Sequence, residues 1–214
     1  MTPTPVQTLA NVAEGLHDDE IHVWHLGYRP QNGRKPLRTV LSAYLGLKPA
    51  DVFLAEGEHG RPVLAPGHEQ PLGFNWSHSG EHALIAVGRH ISPGVDIERH
   101  QDRPRALEIA RRYFTKEESA ALSALSADQR PRAFLELWTA KEAVLKALGR
   151  GIAFGLHRLS ISSGSGALDL QQLEGDDVGA WQLQRLELGP SLIAALAWRG
   201  GPRRIRQASL AIDD

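Results

Sequence analysis

Apolar positions along the chain follow two periods. Short apolar or alternating runs predict strands over 21–26, 74–77, 83–87 and 94–98. Between the first two, 34–47 has the helical period, with Leu37, Val40, Leu41, Tyr44 and Leu45 on one side. Segments 52–55 and 62–65 read as a hairpin around Glu58-His59-Gly60. The polar stretch 99–103 ends at Pro104 and reads as a linker. The second half repeats this outline. A helix is predicted over 104–113. Thr115 with Glu118 forms a capping box opening a short helix. A long helix over 131–148 is stopped by Gly149-Arg150-Gly151. Strands are predicted over 156–162, 167–173, 181–188, 192–198 and 205–212. The expected fold class is α+β: two similar α+β lobes, residues 1–102 and 103–214, with a site between them.

Composition narrows the class. A chain of 214 residues, 42% hydrophobic and 23% charged, can bury the core of a soluble globular protein. A net charge of -1 gives no overall attraction to nucleic acid or an anionic membrane. Cysteine is absent, which excludes disulfides, thiolate metal sites and thiol nucleophiles, and fits the cytoplasm. The first fifteen residues lack a basic region followed by an apolar core, so no secretory signal is expected. No apolar run approaches the roughly 18 residues needed to span a bilayer.

Chemistry concentrates in two acidic clusters. Asp96 and Glu98 sit two apart in an apolar strand, so they share one face while Val95 and Ile97 take the other. A solvated acidic strand face is one reading. A hard cation held by oxygens at i and i+2 is the other, and magnesium takes one or two carboxylates with phosphate oxygens and water. On the long helix, at about 100° per residue, Phe134, Leu137, Trp138, Leu145 and Leu148 form an apolar stripe. Lys141 falls in the middle of that stripe and must snorkel, pair or reach a pocket. Glu142 and Lys146 lie one turn apart on its shoulder. They fit an i,i+4 surface pair, but a cleft against this helix explains all three residues. In Phe74-Asn75-Trp76-Ser77-His78-Ser79, neighbours point to opposite faces and no G-x-S-x-G elbow is present, so a serine hydrolase is disfavoured. Zinc through His78 and His82 lacks the H-E-x-x-H helix and cysteine ligands. Arg34, Lys35 and Arg38 open a helix after a glycine-containing loop, and Gly60-Arg61-Pro62 makes a turn. Each is either a solvated basic face or a phosphate contact.

These segments, with Tyr113-Phe114-Thr115-Lys116-Glu117-Glu118 and the run from Trp138 to Gly151, resemble the Sfp-type 4′-phosphopantetheinyl transferases. The likeness covers roughly residues 60 to 152; the chain ends match in outline only. The resemblance implies a fold of two related lobes in one chain that acts as a monomer. It also implies transfer of the phosphopantetheine arm of coenzyme A to a serine of an apo carrier protein, acyl or peptidyl. Adenosine 3′,5′-bisphosphate is released. By the family's motifs, Asp96, Glu98 and Glu142 are expected to hold Mg2+, or Mn2+. His78 and Lys146 contact phosphates with Lys141 close by, and Glu142 is a candidate base. Ser77 and Arg61 line the coenzyme A pocket, and Arg34 and Arg38 are candidates for the 3′-phosphate. The carrier is expected near Arg112 to Phe114. A non-catalytic coenzyme A and carrier-binding module, and a metal-dependent pyrophosphate hydrolase, are the competing classes.

Overall fold

The computed structural model describes residues 9–67, 71–163 and 167–210. In chain order the elements are α1 (Leu9–Glu14), β1 (Glu20–Gly27), α2 (Lys35–Leu45), β2 (Leu54–Glu56), β3 (Pro62–Leu64), β4 (Leu72–Ser79), β5 (His82–Arg89) and β6 (Gly94–Arg99). Then follow α3 (Ala106–Tyr113), α4 (Lys116–Ala124), α5 (Arg130–Leu148), β7 (Leu159–Ser163), β8 (Leu168–Leu173), β9 (Trp181–Leu186), β10 (Leu192–Arg199) and β11 (Arg204–Leu210). Each element predicted from periodicity has a counterpart, with ends displaced by a few residues. The strand predicted over 156–162 begins at Leu159, because a 3-10 turn occupies Leu156–Arg158. The predicted end of the last strand, 211–212, lies outside the described residues.

Two sheets form the centre. The first has the order β11-β1-β5-β4 and the second β6-β10-β9. Side chains alternate across β1, so Trp24 and Leu26 pack on Leu37, Val40 and Leu41 of α2. Ile21 and Val23, with Leu84 and Ala86 of β5, turn the other way onto Val95, Ile97, Leu196 and Trp198 of the second sheet. The far side of that sheet is covered by α5, which buries Leu137, Ala140 and Val144 with Ala195 and Ala197.

The expected division after residue 102 is not where the sheets divide. Strand β6, from the first half, pairs antiparallel with β10 of the second. Strand β11, from the chain's end, pairs parallel with β1. Each half thus contributes a strand to the other's sheet. The residue pattern fixes which face of a strand is apolar, and is silent on which edge receives it.

The helices adjoining the site end for local reasons. Thr115 accepts from the Glu118 amide at 3.2 Å and the Glu118 carboxylate accepts from the Thr115 amide at 3.0 Å, so the capping box is closed. Helix α5 stops at Gly149, whose φ of 74° is left-handed backbone that favours glycine. Among the described residues no helix is long and apolar enough to cross a membrane.

Candidate active site

Strand β6 lies tight against α5. A Cβ added at Gly94 would stand 2.0 Å from the Ala143 carbonyl oxygen, so only glycine permits this approach. The next two positions on the same face are Asp96 and Glu98, and the approach brings them to the helix that carries Glu142 and Lys146.

Asp96 is buried. Its Oδ1 accepts from the Lys146 ammonium at 2.7 Å and from the Ser77 hydroxyl at 2.7 Å. Glu98, two residues on, repeats the arrangement: its Oε2 accepts from the Ser79 hydroxyl at 2.9 Å and from the Arg103 guanidinium at 3.0 Å. Strands β4 and β6 do not pair through their backbones. Their edges meet through these side chains, and the Asn75 side-chain oxygen accepts from the Val95 amide at 3.2 Å. Ser77, expected to line a ligand pocket, has its hydroxyl engaged in orienting Asp96. Ser79 and Arg103 join the site without having been assigned a role from sequence, although Ser77 and Ser79 are spaced like Asp96 and Glu98.

Glu142 is buried on α5, and its Oε1 has no hydrogen-bond partner. Burial pushes its carboxyl pKa up to about 7, and the charges of Asp96 and Glu98 add to the rise while Lys146 opposes it. Lys146 also donates to the Val95 carbonyl at 3.2 Å, so its ammonium is held on Asp96 and the β6 backbone, where its charge reaches Glu142. Among the described residues no three acidic or histidine side chains stand close enough together to make a ready metal nest. Lys146 takes Asp96 and Arg103 takes Glu98 instead. The donor chemistry nevertheless suits a hard divalent cation: three carboxylates, one with an unpartnered buried oxygen whose charge is disfavoured by burial and by the other acids until a cation offsets it.

A cleft of about 560 Å³ opens beside this cluster, lined among others by His59, Arg61, Trp76, Glu142, Lys146 and Ile152. His78 projects on the opposite face of β4 from Ser77. Its ring is stacked on Tyr28 at 4.5 Å, and desolvation followed by the Lys146 charge lowers its pKa. Arg61 lines the cleft, but its fork is turned to protein: Nη1 donates to the Lys146 carbonyl at 2.6 Å, and Nη2 to the Phe74 carbonyl at 3.0 Å and the Ser92 hydroxyl at 2.9 Å. Burial lowers its pKa. Arg34 and Arg38 sit at the start of α2 and do not line the cleft.

Lys141 does not join the cluster. Its ammonium is fully buried and pairs with Glu118 at 2.8 Å, donates to the Leu156 carbonyl at 2.9 Å and the Leu159 carbonyl, and lies 5.1 Å from the Phe114 ring centre. Desolvation lowers its pKa against the opposing charge of Glu118. Of the outcomes open to a lysine in an apolar stripe, it took pairing. Adjacent helix positions differ by about 100°, so Lys141 enters the core while Glu142 faces the cleft.

The model of the 4′-phosphopantetheinyl transferase superfamily matches residues 92–197, the stretch that carries all three acids and Lys146. The chain is 32% identical over 203 residues to the 4′-phosphopantetheinyl transferase HetI of Nostoc, covering 92% of this chain and 84% of HetI. It is 36% identical over 126 residues to a putative 4′-phosphopantetheinyl transferase of Synechocystis, 59% of this chain and 51% of that one. It is 33% identical over 125 residues to 4′-phosphopantetheinyl transferase Sfp of Bacillus subtilis, 58% of this chain and 54% of Sfp. The match thus spans most of HetI and about half the length of the other two relatives. With one relative matched almost end to end, and the family's own stretch holding the acidic cluster, the chain belongs to the 4′-phosphopantetheinyl transferase superfamily.

Proposed function

We propose that this chain transfers the 4′-phosphopantetheine arm of coenzyme A to a serine of an apo carrier protein and releases adenosine 3′,5′-bisphosphate. The observation that carries the reading is Glu142: a buried carboxylate, one oxygen unpartnered, beside Lys146 and Asp96 at the wall of a cleft, in a chain of this superfamily.

The chemistry follows from these groups. The carrier serine oxygen attacks the β-phosphorus of coenzyme A, a new P–O bond forms, and the bond from that phosphorus to the bridging oxygen breaks. Charge grows on the bridging and equatorial oxygens. Lys146, fixed by Asp96 and the Val95 carbonyl at the cleft wall, stabilises it. Glu142, whose pKa without metal is raised to about 7, is the carboxylate assigned to take the serine proton. Asp96, Glu98 and Glu142 would hold Mg2+, or Mn2+, which supplies charge neutralisation at the pyrophosphate. Ser77 and Ser79 orient the first two carboxylates. His78 is assigned to phosphate contact; Arg34 and Arg38, at the start of α2 and outside the cleft, would take the 3′-phosphate only where coenzyme A extends beyond it. Arg61 shapes the cleft through its bonds to backbone carbonyls.

The carrier, an acyl or peptidyl domain, approaches near Arg112 to Phe114, where Tyr113 is exposed. The same reading has one chain supplying both cleft walls, hence a monomer, and a cytoplasmic enzyme, in keeping with the lack of cysteine. Mass spectrometry of an apo carrier with coenzyme A, Mg2+ and this protein tests the reading. A gain of one phosphopantetheine arm supports it. Release of bisphosphate with no carrier gaining mass means a hydrolase, and binding with neither product means a non-catalytic module.

A further inference from the structure

The Lys141–Glu118 pair sits in the core, yet its bonds land on the chain segment that builds one wall of the cleft. The ammonium has three N–H groups and three oxygen acceptors: the Leu156 carbonyl, the Leu159 carbonyl and the Glu118 carboxylate. The other Glu118 oxygen accepts from the Ile161 amide at 2.8 Å. Three contacts therefore fix residues 156–161 to α4 and α5. Upstream, the chain leaves α5 at Gly149. The stretch between these anchors contains Gly149, Gly151 and Gly155, all with positive φ, around one 3-10 turn at Ile152–Phe154. Gly149, Gly151, Ile152 and Ala153 of this stretch line the cleft, and Ile152 is exposed there.

One end of the wall is thus the end of α5. The other end is tied by Lys141 to the helix turn that presents Glu142 to the cleft. We propose that Lys141, with Glu118, is a positioning residue that sets this glycine-rich wall and through it the affinity for coenzyme A. The proposal rests on the reading of the cleft as the coenzyme A site. Without the pair, the wall becomes a longer loop held at one end, and ordering it falls to the ligand. Lys141 touches no ligand in this account, so it governs binding and not the rate of the bound complex.

The double variant E118Q/K141M tests this, because removing both charges strands neither in the core. Binding is measured by calorimetry with coenzyme A, and wall mobility by amide hydrogen exchange over 149–155. The expected result is a Kd higher by on the order of tenfold, as when a preorganised wall must be reordered on binding. Exchange over 149–155 rises while β10 stays protected, and kcat at saturation stays within about twofold. A folded double variant with the parent's Kd and exchange overturns the proposal. Should the variant not fold, the parent decides: the Ile161 amide exchanges as slowly as the centre of α5 if the anchor holds, and exchange at loop rates overturns it. A parent that binds no coenzyme A while its Ile161 amide is protected overturns the functional reading and leaves the anchor standing.

Discussion

The Lys146 ammonium lies 2.7 Å from Asp96 Oδ1, although the two residues are 50 positions apart and belong to different elements. That contact depends on the helix meeting β6 at Gly94 with no side chain between them. It places a cation on Asp96, one turn along α5 from Glu142.

Lys146→Ala removes the cation that faces the developing charge. The transfer rate should fall by about 3 kcal/mol of transition-state stabilisation, roughly a hundredfold or more, the usual scale for such a donor. Steady-state kinetics with a saturating carrier would show it. A variant within twofold of the parent would remove Lys146 from the mechanism.

Glu142→Gln should abolish most transfer yet stabilise the metal-free protein at alkaline pH. The folded carboxyl titrates at about 7 against 4.5 when exposed. The folded protein therefore binds more protons between those values, and stability falls as pH rises through that window. The full penalty is present above about 7 and amounts to about 3 kcal/mol from the size of the shift. Denaturant melts at pH 8 and pH 5 check the sign: the variant gains on the parent at pH 8, and the gain shrinks at pH 5.

Mg2+ should raise the melting temperature of the parent, because a cation neutralises the crowding of Glu142 by Asp96 and Glu98. At a hundred times its Kd, a ligand bound only by the folded state adds about 2.7 kcal/mol. The increment should vanish in Asp96→Asn, and chelation with EDTA should stop transfer. An equal shift in that variant would place the ion elsewhere.

Gly94→Ala probes the close approach. The added methyl would stand 2.0 Å from the Ala143 carbonyl oxygen and 2.4 Å from the Ala147 nitrogen, both backbone atoms. Strand or helix must shift, at about 1–3 kcal/mol, the typical cost of overpacking. The shift also parts Asp96 from Lys146, so kcat should fall by more than the loss of folded protein explains. Kinetics corrected for the folded fraction separate the two effects.

Much of the site is legible from local spacing. Asp96 and Glu98 share a face because strands alternate, and Glu142 and Lys146 share one because helices repeat every turn. The capping box at Thr115 and Glu118 and the stop at Gly149 are local too. Other features lie beyond local spacing. The period places Lys141 in an apolar stripe, but its partner is Glu118, 23 positions earlier, and half of that carboxylate's role is a helix cap. The spacing of Gly60-Arg61-Pro62 marks a turn, whereas the guanidinium's destination is the end of α5.

The line of residues alone therefore fixed the element types, the inward and outward faces, and the set of acids and lysine that carry the chemistry. These are short-range consequences of backbone geometry. The packed fold chose the exchange of β6 and β11 between the sheets, the pairing of Lys146 with Asp96, the diversion of Lys141 into the core, and the unpartnered state of Glu142. Each of those depends on which surface lies opposite, and a surface is matched only when distant segments close on one core and every buried polar group must find a partner or go without.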